Sequence, residues 1–238
     1  SKEDELRKAE EDARRVVEEI LDLNRESVEK SRRVAERVLR LNEDSVRKSR
    51  DVVRRIKEEV NTDDKLLDIL EKVLRTNERL SERDLRLIKT ILELNERLSE
   101  RDRRLIKKIL EDVRRLVELV RRGTREEELE ELVRELIRRI EDILRESEEL
   151  VRDTIKKIED ILKESEDLVR RTIEEIERKV DDRDVVRKLI EANEDHLRVN
   201  KEIVDRLIKA NEEHLEVNRR AVEKLIEVLK RLLDVARK

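Results

Sequence analysis

The sequence lacks cysteine, proline, methionine, glutamine and all three aromatic residues, and it contains a single glycine. Without cysteine there can be no disulfide and no thiolate metal site, and the redox compartment is left undetermined. Without aromatic side chains the core must be built from leucine, isoleucine and valine. The same absence removes the platforms on which nucleic-acid bases stack.

Long apolar runs and an excess of one charge sign are missing as well. No apolar run exceeds two residues, so we expect neither a membrane span nor the apolar core of a signal peptide. The 61 basic and 65 acidic residues are finely interleaved and give a formal net charge of −4. Because nucleic-acid binding needs a basic patch, we expect no nucleic-acid partner. The sequence predicts a soluble chain without a targeting signal.

The residues that are present are mostly charged or aliphatic. Charged residues make up 53% of the chain, and glutamate, lysine, leucine and arginine are abundant, which is typical of long helices and coiled coils. A hydrophobic content of 36% would indicate disorder if those residues were scattered. They are strictly periodic instead, which predicts an ordered chain.

Four long periodic segments are separated by three short interruptions. The pattern predicts helices over about 2–60, 64–122, 124–180 and 182–237. Connections this short make successive helices antiparallel neighbours. The sequence therefore predicts an all-α protein, a long and nearly straight antiparallel up-down-up-down four-helix bundle that forms one domain over residues 1–238.

The interruptions carry recognisable start and stop signals. Ser1 opens the first helix with a capping box, and Asn61 is predicted to end it in a left-handed conformation before an aspartate N-cap. Gly123 is suited to ending the second helix, and Thr124 is predicted to cap the third. Asp182 and the aspartate before it are predicted to cap the fourth.

An eighteen-residue repeat organises every long segment. The stretch Asn193-Glu-Asp-His196-Leu-Arg-Val-Asn200 returns as Asn211-Glu-Glu-His214-Leu-Glu-Val-Asn218. Eighteen residues are five turns of an ideal helix, so each polar set returns to the same helix face. A seven-residue repeat would impose a left-handed supercoil, whereas this one leaves the helices nearly straight.

The repeated polar residues are interpreted as buried layers inside the bundle, because they fall on the apolar stripes. The predicted buried polar network comprises Asn24, Ser27, Ser31, Asn42, Ser45, Ser49, Asn77, Ser81, Asp84, Asn95, Ser99, Asp102, Ser147, Thr154, Ser165, Thr172, Asn193, His196, Asn200, Asn211, His214 and Asn218.

When the chain is folded at its three interruptions, these residues fall into sets that lie at the same height along the bundle. We call each such set a level. One level gathers Ser45, Ser81, Ser165 and His196, a second gathers Ser27, Ser99, Ser147 and His214, a third gathers Ser49, Asn77, Thr172 and Asn193, and a fourth gathers Asn42, Asp84 and Asn200. Slipping a hydrogen-bonded layer leaves polar atoms facing leucine and isoleucine. The layers are therefore predicted to specify partner, register and orientation of the helices.

Two chemical roles for the histidines, in a metal site and in a catalytic triad, are disfavoured by the sequence. Each level with a histidine pairs it with one aspartate, whereas a zinc site needs three or four converging ligands. Asp84, His196 and the nearby serines supply the ingredients of a catalytic triad. Nothing in the sequence indicates an oxyanion hole, a substrate pocket or a nucleophile at a strained turn. We expect no metal, no cofactor, no catalytic residue and no enzyme activity.

The chain resembles the de novo designed helical bundles that carry modular buried hydrogen-bond networks, made as heterodimers of helical hairpins or as single chains. The resemblance covers the whole sequence and rests on the repeated polar module, the reduced alphabet, the helix caps and the straight-helix periodicity. It implies a structural scaffold with no natural biochemical activity. Natural spectrin-like or apolipoprotein-like bundles are the second resemblance, and the absence of Phe, Tyr, Trp and Met weighs against them.

All four helices lie on one chain, so we expect a monomer that requires no partner, no membrane and no small molecule. A domain-swapped dimer and a filament or partner surface on the charged faces are left open. A binding module or helix-release switch that presents a helical surface to a partner is the alternative function. If the chain is split near Gly123, the two halves are expected to associate.

Overall fold

The computed structural model describes all 238 residues and contains four helices and no strand. The helices are α1 (Lys2–Glu59), α2 (Asp64–Arg121), α3 (Glu126–Lys179) and α4 (Arg183–Arg237). The contacting pairs are α1 with α2, α2 with α3, α3 with α4, and α1 with α4. This confirms the predicted all-α four-helix bundle. None of the four helices has an apolar stretch suited to crossing a membrane.

Three of the helices begin at a side chain that caps their free amide groups. Ser1 Oγ accepts from the backbone N–H three residues later at 3.3 Å. Asp63 Oδ1 does the same at 2.8 Å, and Asp182 Oδ1 accepts from the amide two residues later at 3.0 Å. Each cap satisfies an N–H that the helix itself leaves without a partner, which is worth about 1 kcal/mol.

Gly123 ends α2 in a left-handed conformation, with φ at 73°. Its N–H donates to the carbonyl of Val120 at 3.1 Å, and the N–H of Thr124 donates to the carbonyl of Leu119 at 3.2 Å. These two bonds form the Schellman motif. The predicted start of α3 at residue 124 is therefore early by two residues, because the Thr124 amide still belongs to the end of α2.

The predicted left-handed stop at Asn61 is wrong. Gly123 is the only residue with a positive φ. A left-handed conformation costs an L-amino acid roughly 1–2 kcal/mol, and α1 ends without it. The helix closes at Glu59, and the N–H of Val60 still donates to the carbonyl of Ile56 at 3.0 Å.

Contacts divide the chain into two compact units, and each contains segments of all four helices. Unit 1 comprises residues 1–29, 93–153 and 210–238. Its core is one apolar cluster to which every helix contributes, for example Leu6, Leu116, Leu129 and Leu232. These four leucines are at most 2% exposed.

Unit 2 comprises residues 30–92 and 154–209 and contains two apolar clusters. One cluster includes Ile69 and Leu189, and the other includes Val38 and Leu207. Along every helix of this unit the polar levels lie between the two clusters in sequence. A shift of any helix along its axis would therefore move polar side chains against aliphatic ones.

The substitution Gly123→Ala should lower the free energy of unfolding by about 1 kcal/mol. A Cβ at Gly123 would meet nothing within 4 Å, so the loss comes from the left-handed φ alone. Chemical denaturation followed by far-ultraviolet circular dichroism measures it. Gly123→Asn is the matched control and should lose less, because asparagine tolerates this conformation better. Equal stability of the alanine variant would show that the α2–α3 turn can close without a left-handed residue.

Candidate functional site

The most distinctive polar feature of unit 2 is a buried histidine bonded at both ring nitrogens. His196 is 0% exposed. Its Nδ1 lies 3.0 Å from Ser45 Oγ, and its Nε2 lies 3.1 Å from Asp84 Oδ2. These three residues come from α4, α1 and α2, and we call them the unit 2 cluster.

Unit 1 repeats this arrangement with residues eighteen positions away. Nδ1 of His214 lies 2.9 Å from Ser27 Oγ, and its Nε2 lies 3.2 Å from Asp102 Oδ2. The three residues form the unit 1 cluster. Two separate segments of the chain therefore build the same Ser–His–Asp geometry from the same three helices.

The partners of each ring determine where its proton lies. An ionised carboxylate only accepts hydrogen bonds, so Nε2 of His196 carries the proton and donates to Asp84. In the neutral form of the ring, Nδ1 is the acceptor and the Ser45 hydroxyl donates to it. The neutral imidazole thus uses its one donor and its one acceptor. Because α2 and α4 are not adjacent in the cycle of helix contacts, the bond from His196 to Asp84 crosses the interior of unit 2.

The carboxylates of the two clusters have different surroundings. Oδ1 of Asp102 accepts from Asn218 Nδ2 at 3.2 Å. Oδ1 of Asp84 is buried without a hydrogen-bond donor. Burial raises the pKa of Asp84, since it penalises the charged form, and the hydrogen bond with His196 only partly opposes that effect. Asn42 also lowers the pKa of Asp84, although neither of its amide atoms forms a hydrogen bond.

A second polar level of unit 2 joins neighbouring helices in pairs. The Asn77 side-chain amide donates to Ser49 Oγ, which connects α2 to α1. Thr172 Oγ1 donates to the carbonyl of Leu168 at 2.9 Å. A hydroxyl has one proton, so Thr76 must be the donor in its 2.9 Å contact with Thr172, which connects α2 to α3.

Thr76 is a buried polar residue that the sequence reasoning missed. It is 3% exposed and continues the apolar stripe of Ile69, Val73 and Leu80. Its counterpart eighteen residues later is Leu94, so the repeat gives no sign of a polar layer there. The alignment of α2 with α3 could have identified it, because folding the chain at its interruptions places Thr76 beside Thr172.

Most of the predicted polar residues are buried in their units. Less than a tenth of the residue is exposed for Asn24, Ser31, Asn42, Ser49, Asn77, Asp84, Asn95, Ser99, Asp102, Ser147, Thr154, Ser165, Thr172, Asn193, His196, Asn200, Asn211, His214 and Asn218. Ser27, Ser45 and Ser81 are half-buried. The two serines that donate to the histidines therefore lie at the margin of the core.

A common level does not by itself bring every member into contact. Of the level that gathers Ser45, Ser81, Ser165 and His196, only Ser45 and His196 are bonded to one another. Ser165 Oγ donates to the carbonyl of Ile161 in its own helix at 3.1 Å, and Ser81 Oγ has no partner. Both amide atoms of Asn200 are also without a partner. Short side chains at one height remain too far apart across the bundle.

The chemistry open to the Ser–His–Asp clusters is limited by their place in helices. Each serine has a base and each base has a carboxylate, as in acyl-transfer triads. Ser27 and Ser45 lie in the interior of α1, where backbone N–H groups are bonded to carbonyls four residues earlier. Those amides are therefore not free to stabilise an oxyanion. No three His, Asp or Glu side chains converge on a point that could hold a metal ion.

Comparison with protein-family models finds no match to this chain. Comparisons with curated proteins and with solved structures likewise find no significant match.

The raised pKa of Asp84 predicts how stability depends on pH. Below pH 3.8, the ordinary pKa of the group, Asp84 contributes its full share to the free energy of unfolding. That contribution is lost as the pH rises through the higher pKa that Asp84 has in the folded chain. Asp84→Asn removes that loss while keeping an oxygen that can accept from His196. The unfolding free energy of the variant, relative to the unsubstituted chain, should therefore rise between pH 4 and pH 7.

Denaturation curves at both pH values provide the measurement. Asp102→Asn is the comparison variant: both oxygens of Asp102 already accept hydrogen bonds, from His214 and Asn218, so an amide there loses one acceptor and should lower stability at both pH values. A variant at Asp84 that loses stability toward neutral pH would show that its carboxylate is favoured by the fold.

Removing one member of the unit 2 cluster should cost more than removing all three. His196→Leu leaves the Asp84 carboxylate and the Ser45 hydroxyl without their partner, and should destabilise the chain by about 3–5 kcal/mol. Adding Asp84→Leu and Ser45→Ala replaces the stranded groups by apolar ones and should recover most of that loss. Urea denaturation of the three chains tests this. If the triple variant is as unstable as His196→Leu alone, the stability lost in that variant comes from the packing of the imidazole ring and not from its hydrogen bonds.

Proposed function

We propose that the chain is a structural scaffold, a designed single-chain helical bundle whose buried polar clusters specify which helices pair and in which register. In this role it has no enzymatic activity and requires no metal, cofactor, nucleic acid or membrane. The observation that carries the proposal is the repetition of one Ser–His–Asp geometry eighteen residues apart. A geometry that occurs twice, each time joining α1, α2 and α4, is what a pairing device requires.

The energetic argument rests on the cost of mispairing. A leucine contact is satisfied by any aliphatic neighbour, so apolar clusters alone permit a helix to slide by a turn. A buried donor or acceptor without a partner costs about 1–3 kcal/mol. Sliding α4 would strand both nitrogens of His196 and both of its partners. The correct register is therefore favoured over its neighbours by several such costs.

The buried Ser–His–Asp clusters join helices across the midpoint of the chain. Residues 1–122 hold α1 and α2, and residues 124–238 hold α3 and α4. All bonds of both clusters, together with Thr76–Thr172 and Asp102–Asn218, join one half to the other. The buried bond Asn77–Ser49 lies within the first half, and exposed contacts such as Arg121–Glu3 and Arg219–Glu148 also join helices of the same half. This distribution supports a code that matches the first hairpin to the second.

Splitting the chain at Gly123 tests the proposal. The halves 1–122 and 124–238 should form a 1:1 complex that outcompetes either homodimer, because pairing like with like mismatches the clusters. Native mass spectrometry of an equimolar mixture measures the species. As a matched control, the polar cluster residues of the second half are replaced by leucine and isoleucine, which should keep association but reduce its specificity. A statistical spread of homo- and hetero-oligomers from the unmodified halves would contradict the proposal.

The alternative, in which one helix detaches to present a surface to a partner, has less support. Such a switch needs a helix that is held more weakly than the others. α4 carries both buried histidines and contributes Leu232 to the core of unit 1. α1 supplies the serine of both clusters, and α2 supplies the aspartate. Release of any of these three helices would break both clusters at once.

A further inference from the structure

One open groove in unit 2 has walls that are apolar and a base that is polar. It lies between α1 and α2 and encloses about 440 Å³. Leu39, Val46 and Leu85 line it. Leu39 is 42% exposed and Leu85 is 50% exposed, and they are two of the three large hydrophobic side chains exposed on the molecule. A volume of this size lies within the usual range of about 300–1,000 Å³ for small-molecule sites.

Two unused polar groups line the same groove. Asn42 is 6% exposed, and neither its amide nitrogen nor its amide oxygen has a hydrogen-bond partner. Ser81 Oγ is also buried without a partner. Buried donors and acceptors are normally satisfied. The Asn42 amide acts on the Asp84 carboxyl without forming a hydrogen bond to it, so both Asn42 and Ser81 can bond to a molecule in the groove.

The repeat shows that Leu85, on one wall of the groove, departs from the pattern of the chain, whereas Leu39 on the other wall has a counterpart in Leu21. Residues 81–92 return as residues 99–110 with only two changes. One of them places Leu85 where the second copy has Arg103. Charged residues fill most exposed positions of these helices, so an exposed leucine at this position is the exception. The substitution by leucine removes a charge and adds apolar surface at one edge of the groove.

The charged residues at the rim of the groove favour a negatively charged ligand. Two arginines, Arg47 and Arg50, face one glutamate, Glu43, among the lining residues. The ion pair of Arg47 is an exposed contact of 3.9 Å with Asp44, which is weak. A guanidinium can donate two parallel hydrogen bonds to a carboxylate or sulfonate.

We propose that this groove is a binding site for a compact apolar organic anion. The apolar body of the ligand packs between Leu39 and Leu85, its acidic group meets Arg47 and Arg50, and the Asn42 amide bonds to a polar atom of the ligand. This site is independent of the scaffold role and adds a small-molecule ligand that the sequence did not lead us to expect.

The probe is 8-anilinonaphthalene-1-sulfonate, with N-phenyl-1-naphthylamine as its uncharged analogue. Fluorescence titration of the full chain gives the affinity, and calorimetry gives the stoichiometry. We expect one saturable site for the sulfonate and weaker binding of the uncharged analogue. Replacing both Arg47 and Arg50 by alanine should remove that difference between the two probes.

Leu85→Arg is the central variant, because the chain itself carries arginine at the equivalent position and should fold unchanged, as circular dichroism will verify. Loss of one leucine contact predicts binding about tenfold weaker. The added positive charge would strengthen a merely electrostatic attraction, so the direction of change is decisive. Leu21→Arg is the matched control, since it removes the third exposed leucine, in unit 1, and should leave the affinity unchanged.

Three results would overturn the proposal. They are sulfonate binding that Leu85→Arg leaves unaltered, binding that Leu21→Arg weakens equally, and titrations that do not saturate at one equivalent. Equal affinities of the two probes for the unsubstituted chain would overturn the assignment of an anion. None of these results bears on the pairing of the split halves, so failure of this site and failure of the scaffold proposal are distinguishable.

Discussion

A neutral imidazole inside an apolar core must find one donor and one acceptor, and the arrangement of this bundle depends on meeting that requirement twice. In their neutral form, His196 and His214 each accept a hydrogen bond from a serine on α1 and donate one to an aspartate on α2. Three helices must therefore stand at fixed heights for a single ring to be satisfied. The aliphatic clusters above and below this level in unit 2 supply no substitute partner if any of them moves.

Stability and specificity come from different residues. Burying a leucine contributes roughly 1.5–3 kcal/mol, whereas a satisfied hydrogen bond contributes only about 0.5–1.5 kcal/mol net. The many buried leucines, isoleucines and valines thus provide most of the driving force for folding. The polar clusters act through the penalty that every other arrangement would incur. Asp84 shows that this penalty is not fully avoided even in the native arrangement, because its Oδ1 lacks a donor and burial raises its pKa.

The periodic segments and their interruptions were sufficient to predict the helices to within two residues of their observed ends, and folding the chain at those interruptions placed His196 level with Ser45. These patterns could not predict which members of a level are bonded. Ser165 turns back to its own helix, and Ser81 reaches no partner, since contact depends on side-chain length and direction as well as height. Thr76 was missed because its counterpart is Leu94. The prediction of a left-handed conformation at Asn61 was wrong, because the four-residue connection between α1 and α2 closes without a left-handed residue.

The two buried imidazoles are also the only aromatic rings in the chain, because it contains no phenylalanine, tyrosine or tryptophan. In a proton magnetic resonance spectrum, the carbon-bound ring protons of His196 and His214 are therefore free of overlap from other aromatic side chains. One ring belongs to unit 2 and the other to unit 1. Their line positions report on the two cores separately, so loss of order in one unit is visible while the other remains intact. A chain without tryptophan or tyrosine, which has almost no near-ultraviolet absorbance, thus carries one spectroscopic reporter in each unit.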